Sequence, residues 1–140
     1  MLKKTIISAC FMLLSAACLA EHCPSVQELQ SPTFKGWQAY DSDDGALLSD
    51  AHTAQFKASA KAFALAEWET TGPKKGNIHC YYRDDNGSNL EAYFAKPHFM
   101  PANAQKMWYE VSGAMQCAVG ADKCEFNVIH GTQKSQFAKR

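Results

Sequence analysis

Residues 77–97, with the sequence NIHCYYRDDNGSNLEAYFAKP, decide the fold class of this chain. Two short runs at 78–83 and 90–95 are rich in aromatic residues and flank a polar segment. That segment contains Asn86-Gly87, the dipeptide most typical of a type I′ turn, because both central residues of such a turn need positive φ. The stretch therefore predicts a β-hairpin at the centre of an antiparallel domain.

The first twenty residues predict export. Two lysines precede an apolar run at 5–14 that is too short to span a bilayer, and small residues follow up to Ala20. These are the regions of a bacterial secretory signal peptide over residues 1–20, with cleavage after Ala20 and a periplasmic destination. Lipid anchoring at Cys18 is the less favoured alternative, because Ser15 rather than Leu lies three residues before it.

The rest of the chain has the length of one domain, residues 21–130, followed by a polar basic tail at 131–140. The leader holds two of the 14 basic residues and none of the 14 acidic ones, so the exported part has a net charge of about −2. Proteins that bind nucleic acid are usually strongly basic, so that partner is not expected. No second apolar run is long enough to predict a membrane span.

Four cysteines remain after the leader: Cys23, Cys80, Cys117 and Cys124. An even number in an exported chain predicts two disulfides, for which three connectivities are possible. We favour Cys117–Cys124, which are close in sequence, together with Cys23–Cys80. In the chain-entropy model the two loops contribute about 2.5 and about 4 kcal/mol respectively. No Cys-x-x-Cys occurs and no histidine lies at ligand spacing from a cysteine pair, so we predict no metal and no cofactor.

The remaining elements complete a mainly β domain, an antiparallel sheet or sandwich with one or two short helices. Ser25 and Glu28 have capping-box spacing, which predicts a helical turn at 26–30. Alanine-rich composition favours helix at 47–60 whereas alternation favours strand, so this segment stays open. Another helical turn is predicted at 102–107. Further strands are predicted at 33–40, 61–69, 108–111, 114–119 and 124–129, the last two as a hairpin.

Catalytic signatures are missing from the sequence. It contains no H-E-x-x-H, no G-x-S-x-G and no glycine-rich phosphate loop. His79 precedes Cys80, but adjacent strand residues point to opposite faces, so these two side chains cannot act together. Four glutamates could in principle pair as acid and base, yet nothing in the sequence brings them together: Glu67, Glu69, Glu91 and Glu110. We therefore predict a non-enzymatic protein with its glutamates on solvent-facing strand positions.

Aromatic residues supply the candidate partner surface. Most aromatics of a domain this small are expected to fill its core, and those that face outward would mark a protein partner. The candidates for such a surface are Tyr81, Tyr82, Tyr93 and Trp108.

Several short motifs resemble one family. They are Cys-Pro-Ser at 23–25, Gly-Trp-Gln at 36–38, Ala-Glu-Trp at 66–68, Ile-His-Cys-Tyr-Tyr at 78–82 and the two late cysteines. Together they resemble the small periplasmic proteins associated with the Dot/Icm-type IVB secretion system of intracellular bacterial pathogens, the EirA-like group. The resemblance covers most of the exported part. It implies a periplasmic, non-enzymatic role in secretion or virulence through a protein partner in the envelope, and it supplies no catalytic residues.

Two alternatives from other functional classes remain open. The first is a periplasmic inhibitor of a lysozyme-like enzyme, with a protruding loop at 97–101 that would enter the active site. The second is a small cell-wall sugar hydrolase, which would require two carboxylates or a histidine cluster to converge in a cleft.

Overall fold

A computed structural model of the chain describes residues 20–102 and 106–129. The predicted leader, apart from Ala20, the basic tail and the centre of the predicted helical turn at 102–107 lie outside the described residues. In chain order the elements are α1 (Val26–Leu29), β1 (Gln38–Asp41), α2 (Asp50–Ser59), β2 (Ala62–Glu69), β3 (Ile78–Arg83), β4 (Asn89–Lys96), β5 (Phe99–Pro101), β6 (Tyr109–Val111), β7 (Ala114–Cys117) and β8 (Phe126–Val128).

The predicted hairpin lies at the centre of the fold. Strands β3 and β4 are inner strands of a six-stranded antiparallel sheet with the order β1-β4-β3-β2-β7-β6. Strands β5 and β8 form a separate two-stranded sheet. The mainly β class is thus confirmed, as is the strand predicted at 61–69. The strand predicted at 33–40 begins only at Gln38.

Two short helices accompany the sheet. The capping box of α1 is present, since the Ser25 hydroxyl accepts from the Glu28 amide and the Glu28 carboxylate accepts from the Ser25 amide. Helix α2 occupies most of the open segment at 47–60. Its N-cap is Ser49, whose hydroxyl accepts from the amide of His52. It buries Phe56, whose ring stacks on Phe94 at 4.8 Å and so holds α2 against one face of the sheet. Neither described helix has the length and apolarity needed to cross a membrane.

Both disulfides join the predicted partners. Cys23–Cys80 ties the start of the described chain to β3, and Cys117–Cys124 closes a short loop after β7. Beside the first bond, the buried Tyr82 hydroxyl donates to the carbonyl oxygen at position 24 at 2.5 Å. Two disulfides fit a chain that folds in an oxidising compartment.

The predicted type I′ turn at Asn86-Gly87 is wrong. Only Gly87 has positive φ there, at 79°. The Asp84 carboxylate accepts from the amides of Asn86 and Ser88, and these bonds stabilise a wider loop in which Asn86 keeps ordinary backbone angles. A two-residue turn with positive φ at both positions joins β6 to β7 instead, at Ser112 and Gly113 with φ of 49° and 86°.

The predicted last hairpin is also wrong. Strand β7 pairs with β2 and β6, whereas β8 pairs with β5. The Cys117–Cys124 bond closes the intervening loop, and the fully buried Phe126 then anchors β8 in the other sheet. The predicted protruding loop at 97–101 is wrong as well. This segment contains β5, the partner of β8, and buries Phe99 and Pro101.

Candidate functional site

Two faces of the six-stranded sheet differ in chemistry. The face against α2 is apolar and includes Tyr82 and Phe94. The opposite face, here named the histidine face, is polar, because cross-strand partners of an antiparallel ladder share a face and the register aligns polar residues. His79 lies opposite Glu67, and Glu67 lies opposite Gln116. The residues that define the histidine face are Glu67, Glu69, His79, Tyr81, Tyr93 and Gln116.

Two glutamates and a histidine converge on this face. The Nδ1 atom of His79 lies 3.9 Å from Oε1 of Glu67 and 3.7 Å from Oε1 of Glu69. These three atoms all lie within 4.8 Å of one another. We refer to the three residues as the carboxylate–histidine cluster. The prediction that nothing brings Glu67 and Glu69 together is therefore wrong for this pair, whereas Glu110 is an exposed residue of the edge strand β6.

The spacing of the two glutamates along the sequence is a signal for the cluster. Glu67 and Glu69 are two residues apart on β2 and so project from the same face. Strand β3 follows across a short loop and brings His79 opposite Glu67. Pairing of β2 with β3 in this register is enough to place the three side chains together.

Hydrogen bonds hold Glu67 in place. The side-chain amide of Gln116 donates to its Oε2 at 2.7 Å, and the Tyr81 hydroxyl donates to its Oε1 at 3.4 Å. Burial is the main reason why the pKa of Tyr81 is raised, and the negative charge of Glu67 adds to it. Tyr81 therefore stays protonated and remains a donor to the carboxylate at any physiological pH.

The protonation states of the cluster follow from burial and charge. Burial lowers the pKa of His79 to about 4, and the Lys74 ammonium lowers it further, so the imidazole is neutral at pH 7. Burial also raises the pKa of Glu69, with repulsion from Glu67 acting in the same direction and Lys74 partly opposing both. Lys74 itself donates to the Tyr93 hydroxyl at 3.0 Å, and this bond raises the pKa of its ammonium group.

His79 is a buried polar group without a hydrogen bond. The residue is only 3% exposed, and the Tyr93 ring packs against its imidazole at 4.3 Å between centroids. Its Nε2 atom finds no partner among the described residues, and its Nδ1 atom is too far from the two carboxylates for a hydrogen bond of ordinary length. An unpaired buried polar group costs about 1–3 kcal/mol, so this nitrogen lowers the stability of the sheet.

The aromatic residues predicted to form a partner surface are mostly buried. Tyr82, Tyr93 and Trp108 are all buried, and only Tyr81 is partly exposed, so the four residues do not form one exposed patch. The Trp108 indole donates to the carbonyl oxygen of Glu125, as a buried polar tip must. The physical reason is domain size, because a small domain needs its aromatics to fill the core.

His79 and Cys80 point to opposite faces, as predicted. Cys80 is fully buried in its disulfide, whereas the His79 ring lies on the other face. A Cys–His nucleophile at this position is therefore excluded.

The sheet that carries the cluster has two further surface features. A shallow cleft of about 490 Å³ is lined by residues that include Trp37, Tyr40 and Ala95, and Ala95 is the cross-strand partner of His79. At the far side of the sheet, the edge strand β6 exposes half of Tyr109 and over a third of Val111. Both side chains share the histidine face, because Tyr109 pairs with Gln116 in the same register row as Glu67.

Comparison of the chain with protein-family models, with curated proteins and with solved structures found no match in any of the three.

Proposed function

We propose that this chain is an exported, non-enzymatic accessory protein that acts by protein contact in the bacterial envelope, with type IVB secretion machinery as its partner. The motifs that resemble the EirA-like group support the choice of partner. The two disulfides support the compartment. The contact surface in this proposal is the sheet edge formed by β6.

The single observation that carries the proposal is the difference between the two edges of the sheet. The edge at β1 is protected, because Asp41 donates to the Ala46 carbonyl and Leu48 donates to the Ala39 carbonyl. The edge at β6 has no such cover within residues 20–102 and 106–129. Natural proteins usually block an open edge, since its unpaired amides and carbonyls can pair with another chain.

The chemistry of β6 fits an extended peptide segment of a partner. Such a segment would add as a further strand, with main-chain hydrogen bonds for affinity and side-chain contacts for specificity. Tyr109 and Val111 point to one face of the edge strand and offer apolar contact area, whereas Glu110 points to the other. We therefore expect a partner segment in which every second residue is apolar, so that these residues contact Tyr109 and Val111.

Crosslinking in intact cells tests this proposal. The variant Val111→Lys places a charge on the edge and should abolish recovery of secretion components from crosslinked envelopes, and it should impair effector delivery as a deletion does. Gln55→Lys, on the exposed side of α2, is the matched control and should behave as wild type. Recovery of no secretion component by the wild-type chain, together with normal effector delivery in a deletion strain, would sink the proposal.

One observation favours a second candidate, the small cell-wall sugar hydrolase. Two carboxylates converge on one face of the sheet, and a cleft lined by Trp37 and Tyr40 includes Ala95, the cross-strand partner of His79. The pKa of Glu69 is raised by burial, while Glu67 accepts two hydrogen bonds. Environments that differ in this way separate a general acid from a carboxylate. Release of soluble fragments from purified peptidoglycan, lost in Glu69→Gln, would support it, and the absence of any release by the wild-type chain would reject it.

A further inference from the structure

We propose that Glu67, Glu69 and His79 form a binding site for a divalent cation of the zinc type. The inference is independent of the β6 contact proposed above. Two carboxylate oxygens and an imidazole nitrogen are a ligand set that first-row divalent metals accept, with the nitrogen favouring zinc over magnesium or calcium. The atoms come from neighbouring strands of one sheet, so the backbone that carries them is rigid.

The distances suit a shared cation. Zinc lies at about 2.0–2.2 Å from nitrogen and oxygen ligands, so tetrahedral ligand atoms are about 3.4 Å apart. The Nδ1 atom of His79 is 3.7 Å from one carboxylate oxygen and 3.9 Å from the other, and all three atoms lie within 4.8 Å of one another. Small side-chain rotations would bring all three atoms onto one ion without movement of the strands.

The buried imidazole of His79 distinguishes this site from an ordinary acidic cluster. Its side chain is 4% exposed, its Nδ1 faces both carboxylates, and its ring makes no hydrogen bond among the described residues. An imidazole whose Nδ1 atom is directed at two carboxylate oxygens supplies the nitrogen ligand of such a site. A cation bound to Nδ1 would give that nitrogen the partner that it lacks, because both carboxylate oxygens lie beyond hydrogen-bond distance from it.

The surroundings of the cluster are consistent with a cation site. The Gln116 amide donates to Oε2 of Glu67, while Oε1 faces His79 and accepts from the Tyr81 hydroxyl at 3.4 Å. Metal-bound carboxylates usually have hydrogen-bonded support of this kind. The side chains of Glu67 and Glu69 are 17% and 27% exposed, so the site can be reached from solvent. The nearby Lys74 ammonium opposes a cation, and its effect provides a second test.

Calorimetric titration with ZnCl₂ tests the site. The chain is expressed with its own leader, purified without a histidine tag and stripped with EDTA while both disulfides stay oxidised. We expect binding of one Zn²⁺ per chain, with Mg²⁺ and Ca²⁺ at least about tenfold weaker. Glu67→Gln and Glu69→Gln should each weaken Zn²⁺ binding at least about tenfold. The matched control Glu110→Gln, on the other face of the sheet, should bind as wild type.

Two results would overturn the proposal. One is the absence of one-to-one zinc binding by the wild-type chain, and the other is unchanged binding by the double variant of Glu67 and Glu69. The variant Lys74→Met distinguishes loss of the site from misfolding. It removes the opposing charge and should tighten zinc binding severalfold, which a misfolded protein would not do. Unchanged or weaker binding in Lys74→Met would be a third result against the proposal, because it would place the ion away from the carboxylate–histidine cluster.

Discussion

Replacement of His79 by phenylalanine should stabilise the metal-free protein. Most substitutions of buried residues are destabilising, so the expected sign is unusual. Phenylalanine keeps an aromatic ring against Tyr93, which packs on His79 at 4.3 Å, and removes an Nε2 atom that has no partner among the described residues. Removal of the unpaired nitrogen should raise the free energy of unfolding by about 1–3 kcal/mol, and crowding by the larger ring should offset part of this increase. The net effect of His79→Phe should be an increase of about 1 kcal/mol at pH 7.5.

The gain should grow as the pH falls. The pKa of His79 is lowered from 6.5 to about 4 by burial and by Lys74, so between these values the unfolded chain binds more protons than the folded one. Stability of the wild-type chain therefore decreases as the pH falls through this window, by about 2 kcal/mol between pH 7.5 and pH 5. The raised pKa of Glu69 acts in the opposite direction, but its causes do not include His79, so it cancels when the two proteins are compared.

Urea unfolding followed by tryptophan fluorescence, in EDTA and with the disulfides oxidised, measures both effects. The difference between His79→Phe and wild type should be about 1 kcal/mol at pH 7.5 and about 3 kcal/mol at pH 5. His52→Phe, at an exposed position of α2, is the matched control and should show no such widening. A His79→Phe protein that is less stable than wild type at pH 7.5, or a difference that does not widen at pH 5, would refute the reasoning.

Three further predictions concern the scaffold. Tyr82→Phe leaves a buried carbonyl unpaired and should lower the free energy of unfolding by about 1–3 kcal/mol, measured in urea at pH 7.5; no loss would deny the buried hydrogen bond a stabilising role. Gly113→Ala should cost about 1–2 kcal/mol because φ is 86° there, whereas a neutral result in thermal unfolding would contradict the turn geometry. Serine replacement of both members of the Cys23–Cys80 pair should cost about 4 kcal/mol, and an unchanged urea midpoint would contradict the stapling of the N-terminal segment.

Local patterns in the sequence were sufficient for much of the scaffold. Alternation at 61–69 and the aromatic runs of β3 and β4 predicted three strands, because the residue pattern that indicates a strand lies within the strand itself. The pairing of Cys117 with Cys124 followed from proximity along the chain. That choice left a single partner for each remaining cysteine.

Pairing between distant segments was harder to predict. The partners of β7 and β8 are set by packing and by the Cys117–Cys124 bond, neither of which leaves a local signature in the sequence. The type I′ turn predicted at Asn86-Gly87 was wrong for a related reason. The Asp84 side chain changed the geometry at Asn86-Gly87, whereas the true type I′ turn at 112–113 has Ser in place of the usual Asn.

The candidate site depends on cross-strand register, and this explains why it was missed. Glu67, Glu69 and His79 are separated by a loop, and each alone resembles an ordinary strand residue. Only the pairing of His79 with Glu67 brings the carboxylates to the imidazole. Burial is equally nonlocal. Whether Tyr82 and Trp108 are buried or exposed depends on how the sheet and the elements that cover it pack together, which their local sequence does not specify.

Nitrogen-15 NMR of the imidazole rings, recorded during zinc titration, is the most direct test of the carboxylate–histidine cluster. In the metal-free chain the ring proton of His79 is expected on Nδ1, which faces the two carboxylates, with Nε2 bare. Zinc should take Nδ1 and move the proton to Nε2, so the two nitrogen resonances of His79 should exchange their protonated and unprotonated character at one equivalent. Resonances of His79 that stay unchanged at saturating zinc would contradict the site.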